Sequence, residues 1–144
     1  MTGAQDVRGP VVAAMQAQDA GAFEDSLIPV FQQSRLDEIA DLLVEALPMT
    51  WHYRHEDLAH SLQQLKYVPA IDALAEAALT KHEYLDYDNS YALARKCTWA
   101  LADIGTDAAK GKLEALSRCG DPTIEGYAQK RLDSWSEEIG RRRP

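Results

Sequence analysis

The chain has 144 residues, 46% of them apolar and 26% charged, with a formal net charge of −8. That length suits a single domain able to bury roughly two-thirds of its unfolded surface. No apolar run approaches the ~18 residues of a membrane span, and two cysteines are too few for a disulfide framework; with no basic, apolar leader at the start, the expectation is a cytoplasmic protein without a membrane partner.

The charge is uneven along the chain. Residues 1–33 carry four acids and one base (−3), residues 34–91 eleven acids and four bases (−7), and residues 92–144 eight acids and ten bases (+2). An acidic body opposes binding to a phosphate backbone, which depends on Lys and Arg, so no nucleic-acid partner is expected. It suits a basic partner; the competing reading is a charge that only keeps the protein soluble.

In chain order, residues 1–33 predict an N-terminal cap of one or two helices, broken near Gly21 and Pro29. Apolar residues then recur at three and four: Ile39, Leu42, Leu43, Ala46 and Leu47; Leu58, Leu62 and Leu65; Ile71, Leu74, Ala75 and Ala78; Cys97, Ala100, Leu101 and Ile104; Leu113 and Leu116. That spacing predicts helices throughout, and an all-α chain. Gly105 fits a helix C-cap, and Asp121-Pro122 an N-cap followed by proline in the first turn. Residues 136–144 read as a polar tail; its Arg141–Arg143 run suits solvent better than nucleic acid or lipid.

Residues 57–77, DLAHSLQQLKYVPAIDALAEA, repeat at an offset of 39 as KCTWALADIGTDAAKGKLEAL (96–116). Leu58 falls on Cys97, Leu62 on Leu101, Leu65 on Ile104 and Leu74 on Leu113. A half copy places Ala128, Leu132 and Trp135 on Cys97, Leu101 and Ile104, and IADLLVEAL (39–47) is similar to AIDALAEAA (70–78). Such periodicity is the signature of stacked helical repeats.

The stretch ARKCTWALADIGTDAAKGKLEAL followed by GDPTIEGYAQKRL resembles the HEAT-like repeat of bacterial helical solenoids. The likeness is good over 94–135, fair over 51–80 and weak before 50. It implies an α-solenoid of about three helix pairs spanning 1–144 as one unit, and it is almost silent on function. Some HEAT-like bacterial proteins are DNA glycosylases with a basic face, and others act on bilin pigments. Arg95, Lys96, Lys130 and Arg131 are basic in the expected places, yet the chain is short and acidic for the first class and shows no pigment pocket.

Two connections between successive helix pairs are long, aromatic and acidic where 117–122 is short. PMTWHYRHED (48–57) and KHEYLDYDNSY (81–91) carry Trp51, His52, Tyr53, Tyr84, Asp86, Tyr87 and Asp88. In a stack of repeats these connections lie side by side, and aromatic residues with carboxylates suit a cationic partner. Trp51 and Tyr91 are expected to turn inward and close the core, and Tyr84 and Tyr87 to be exposed. Asp72, Glu76 and Lys112, on the second helices, offer a different contact face.

No catalytic constellation, phosphate loop or cofactor motif is evident, so no enzyme activity and no cofactor are expected. His52, His55, His60 and His82 lack the spacing of a metal set and read as surface or half-buried. Cys97 reads as a small core residue and Cys119 as turn-proximal. These features predict a protein-binding module. Its sharpest form is an immunity protein neutralising a basic toxin such as a nuclease; an adaptor or assembly factor is the alternative, and a HEAT-like DNA glycosylase or bilin lyase-type enzyme the less favoured one.

Overall fold

The computed structural model describes residues 5–135 and is all-α, with no strand among the described residues. Its helices are α1 (Arg8–Ala17), α2 (Ala20–Gln32), α3 (Ala40–Ala46), α4 (His55–Leu65), α5 (Ile71–Leu79), α6 (Tyr91–Ile104), α7 (Asp107–Leu116) and α8 (Pro122–Asp133). Short 3-10 turns at Leu36–Ile39, Val68–Ala70 and Glu83–Asp88 lead into α3, α5 and α6. The tail expected at 136–144 lies outside the described residues.

Local chemistry sets the boundaries. The Asp6 carboxylate accepts from the backbone N–H groups of Arg8 and Gly9 at the start of α1, and Asp19 accepts from Ala22 N–H at the start of α2. Thr106 and Asp121 cap α7 and α8 in the same way, and Pro122 sits at the first turn of α8, where its missing N–H costs nothing.

The N-terminal break falls at Gln18–Asp19 rather than near Gly21 and Pro29, and α2 runs through both residues. Pro29 removes one hydrogen bond there. Burial of Phe23, Leu27 and Val30 on one face outweighs that loss, at roughly 1.5–3 kcal/mol per large apolar side chain.

Helix α6 is the hub, packed against α4, α5, α7 and α8. Its buried residues are mostly small (Ala94, Cys97, Thr98, Ala100, Ala102), which lets neighbouring backbones come close, while Leu93 and Leu101 fill the gaps. Helices α4, α6 and α8 adjoin in one row, and α5 adjoins α7 in a second.

Positions 39 apart share their environments: Leu58 and Cys97, Leu62 and Leu101, and Leu74 and Leu113 are all fully buried, while Leu65 and Ile104 are both half-buried. The correspondence extends to the backbone. Lys66 ends α4 at φ 49°, and Gly105, 39 residues later, ends α6 at φ 73°. One cluster of buried side chains runs from Val7 to Ala128.

Candidate interaction surface

The connections before α4 and α6 meet edge to edge. Tyr53 packs edge-to-face on Tyr84 with ring centroids 5.2 Å apart. Beneath them a stack of rings crosses from one connection to the other. His52 lies on His55 at 4.2 Å, and His55 on His82 at 3.8 Å. Trp51 and Phe23 close the far end, with Trp51 edge-on to both Phe23 and His52.

The histidines are therefore core residues, correcting the expectation of surface or half-buried rings: His52 and His55 are fully buried and His82 is 7% exposed, leaving His60 outside. Their hydrogen bonds fix two tautomers. His52 Nδ1 accepts from Arg54 N–H, so Nε2 carries the proton and donates to the Ala46 carbonyl at 2.7 Å. His55 Nε2 donates to the Met49 carbonyl at 2.6 Å, which leaves Nδ1 to accept from the Tyr84 hydroxyl at 2.6 Å. The Tyr84 oxygen in turn accepts from His55 N–H.

Burial holds all three rings neutral at pH 7. His55 is pushed down to about 4, with neighbouring His52 and His82 adding to the effect of desolvation and the Met49 carbonyl opposing it. Burial lowers His52 and His82 as well. The rings lie face to face, and among the described residues no group of His, Cys, Asp or Glu side chains is arranged to hold a metal.

Among the seven residues assigned to partner contact, four have structural positions. His52 is buried in the stack and unavailable to a partner, the clearest correction. Trp51 is half-buried and turns inward, as the sequence favoured; its indole N–H points to Met49 sulfur. Tyr84, expected to be exposed, is half-buried, with its hydroxyl held at His55. Asp88 is half-buried because its Oδ2 accepts from Ala92 N–H and caps α6. Its Oδ1 is buried without a hydrogen-bond partner among the described residues.

The remaining three face solvent: Tyr53 at 57% exposure, Tyr87 at 76%, and Asp86. Tyr53 and Asp86, but not Tyr87, line a cleft of about 760 Å³ with Thr50, Lys81, His82, Glu83 and Tyr84. Buried His82 Nε2 has no hydrogen-bond partner among the described residues.

The loop over 81–90 is held at both ends. The Ser90 hydroxyl accepts from His82 N–H, and Lys81 donates to the Asn89 carbonyl while lying 4.3 Å over the Tyr91 ring. Tyr91 itself is half-buried and donates to Asp121, which joins this connection to the one before α8. Asn89 and Ser90 both take left-handed backbone, at φ 56° and 61°. A serine there costs roughly 1–2 kcal/mol, so local contacts hold an unfavourable shape.

The other singled-out residues take ordinary places. Cys97 is fully buried, its thiol pushed up to about 12 by desolvation, and Cys119 is half-buried with its sulfur near the Asp121 carbonyl. Lys112 pairs with Asp72 across α5 and α7 at 3.2 Å.

Sequence reasoning missed the roles of His55 and His82. The only available signal was two histidines three apart in HYRHED, with a third at the start of the next long connection. Comparison with protein families, curated proteins and solved structures gave no match for this chain.

Proposed function

We propose that the protein is a non-enzymatic binding module, built from HEAT-like helix pairs, whose edge of paired connections receives a basic protein partner. The observation carrying this reading is exposed Tyr53 in one cleft with Asp86 and Glu83, over a buried layer of stacked rings, with exposed Tyr87 next in chain to Asp86. Solvent-exposed tyrosines on a pre-organised base lose little entropy on binding, and the carboxylates select a cationic face. No helix among the described residues is long and apolar enough to cross a membrane, which fits action on a partner in the cytoplasm.

In its sharpest form the protein is an immunity factor that caps a basic toxin, possession of a nuclease-like positive face being the property that an acidic aromatic edge matches. An adaptor for a cellular complex would use the same edge. The test is growth rescue. Wild type should restore growth to cells expressing the captured basic partner, and Tyr53→Ala/Asp86→Ala/Tyr87→Ala should not. A captured partner harmless to cells would favour the adaptor form.

A further inference from the structure

The second charged feature of the surface has the opposite sign. Two clefts lie along the row of α4, α6 and α8. The first, about 380 Å³, is lined by Glu56, His60, Gln63, Arg95, Lys96 and Trp99, together with Ala92. The second, about 240 Å³, is lined by Arg95, Trp99, Tyr127, Lys130 and Arg131, together with Thr98. Arg95 and Trp99 belong to both, so the clefts form one trough across three helices.

Among the described residues, its lining includes Arg95, Lys96 and Lys130 and one carboxylate, that of Glu56, in a chain with 23 acidic and 15 basic residues. Elsewhere Arg8, Arg35, Arg54, Lys81 and Lys112 find carboxylates, whereas Lys66, Lys110 and Arg118 have none within 4 Å among the described residues. Arg95, Lys96 and Lys130 have no carboxylate within 4 Å among the described residues. Helix electrostatics explains Lys130, in the last turn of α8, but not Arg95 and Lys96 in the N-terminal half of α6.

The floor is rigid. Arg131 is 5% exposed, and its guanidinium lies 3.6 Å from the Trp99 ring centroid. That stack leaves one face of Trp99 covered, which disfavours a nucleobase sandwiched there, and the net charge of −8 repels a long polyanion.

The trough is continuous with the acidic edge. Glu56 lines its first cleft and is also the main influence raising the Tyr87 hydroxyl above its ordinary range. Ala92, in the same cleft, donates its backbone N–H to Asp88 of the edge.

We infer that this trough is a second docking surface, which takes a short acidic segment of a protein partner, with carboxylates against Arg95, Lys96 and Lys130 and an aromatic or aliphatic side chain beside Trp99 and Tyr127. The inference rests on the binding-module reading and makes the surface bipolar. A partner carrying a basic patch followed by an acidic segment is held in one orientation, because reversing it sets like charges together.

The test uses the isotope-labelled protein and three probes: a short synthetic peptide alternating Glu and Tyr, its counterpart with Lys for Glu, and an oligothymidylate of matched charge. The Glu/Tyr peptide should perturb the backbone amides of 92–99 and 127–131. Arg95→Glu/Lys130→Glu, which alters two exposed side chains and should leave the helical signal intact, should weaken that binding by at least roughly tenfold. No perturbation, or equal affinity for the double variant, would overturn the inference. So would tighter binding of the oligothymidylate to the same amides, which would assign the trough to nucleic acid. The Lys/Tyr peptide reports separately on residues 53 and 83–88, so failure of the edge and failure of the trough are told apart.

Discussion

His55 and His82 lie face to face with ring centroids 3.8 Å apart, one at the start of α4 and the other in the connection before α6. Together with the hydrogen bond from the Tyr84 hydroxyl to His55 Nδ1, this stack joins the two long connections, and burial favours its uncharged form. Protonating His55 would set a charge between two other imidazoles and spoil the hydrogen bond that its Nδ1 accepts from Tyr84.

Stability should therefore fall in mild acid. The folded His55 titrates near 4 and an unfolded histidine near 6.5. Between those values the unfolded chain binds more protons, so the stabilisation is complete above pH ~6.5 and lost as pH falls towards 4. His55 alone accounts for about 3 kcal/mol over that interval. Urea unfolding at a series of pH values measures it. His55→Phe should be less stable at neutral pH by about 2 kcal/mol, because the Met49 carbonyl and Tyr84 hydroxyl lose their partner, and should show a shallower acid slope.

The two tyrosines that the sequence treated alike should part company. Tyr84→Phe leaves His55 Nδ1 unpaired in a buried layer and should cost about 1–2 kcal/mol. Tyr87→Phe, at an exposed site, should change stability by less than about 0.5 kcal/mol. Chemical denaturation of both variants decides the matter.

Asp88→Ala should destabilise the chain by about 1 kcal/mol through loss of its bond to Ala92 N–H. Lower hydrogen-exchange protection should appear first in the opening turn of α6. Unchanged protection there would remove the capping role.

Lys66 offers a test of the repeat. It holds the left-handed position that Gly105 holds 39 residues later, at a cost glycine avoids. Lys66→Gly should raise stability by about 0.5–1 kcal/mol, the gain reduced by the extra freedom glycine gives the unfolded chain. Thermal unfolding is sufficient to see it.

The helices were legible because a 3.6-residue period needs only local sequence, and the burial of Leu58, Leu62, Leu74, Leu101 and Leu113 follows from it. The first break was misplaced because Gly21 and Pro29 are strong local punctuation, whereas the Asp19 cap and the packing of Phe23 decide where α2 runs. The edge was legible as a pair of long connections, but its inside and outside were not. His52 is polar by type and becomes core only because the Ala46 carbonyl, Arg54 N–H and three flanking rings surround it. Asp88 looked like a charge for a partner because its true partner is a backbone N–H four residues on.

The most direct measurement is affinity capture from native lysate, with wild type beside Tyr53→Ala/Asp86→Ala/Tyr87→Ala, three exposed positions whose change should leave the helical signal intact. The account predicts one basic protein retained by wild type, released as salt is raised, and lost by the variant. Equal recovery by both proteins would contradict it and take the edge out of the binding surface.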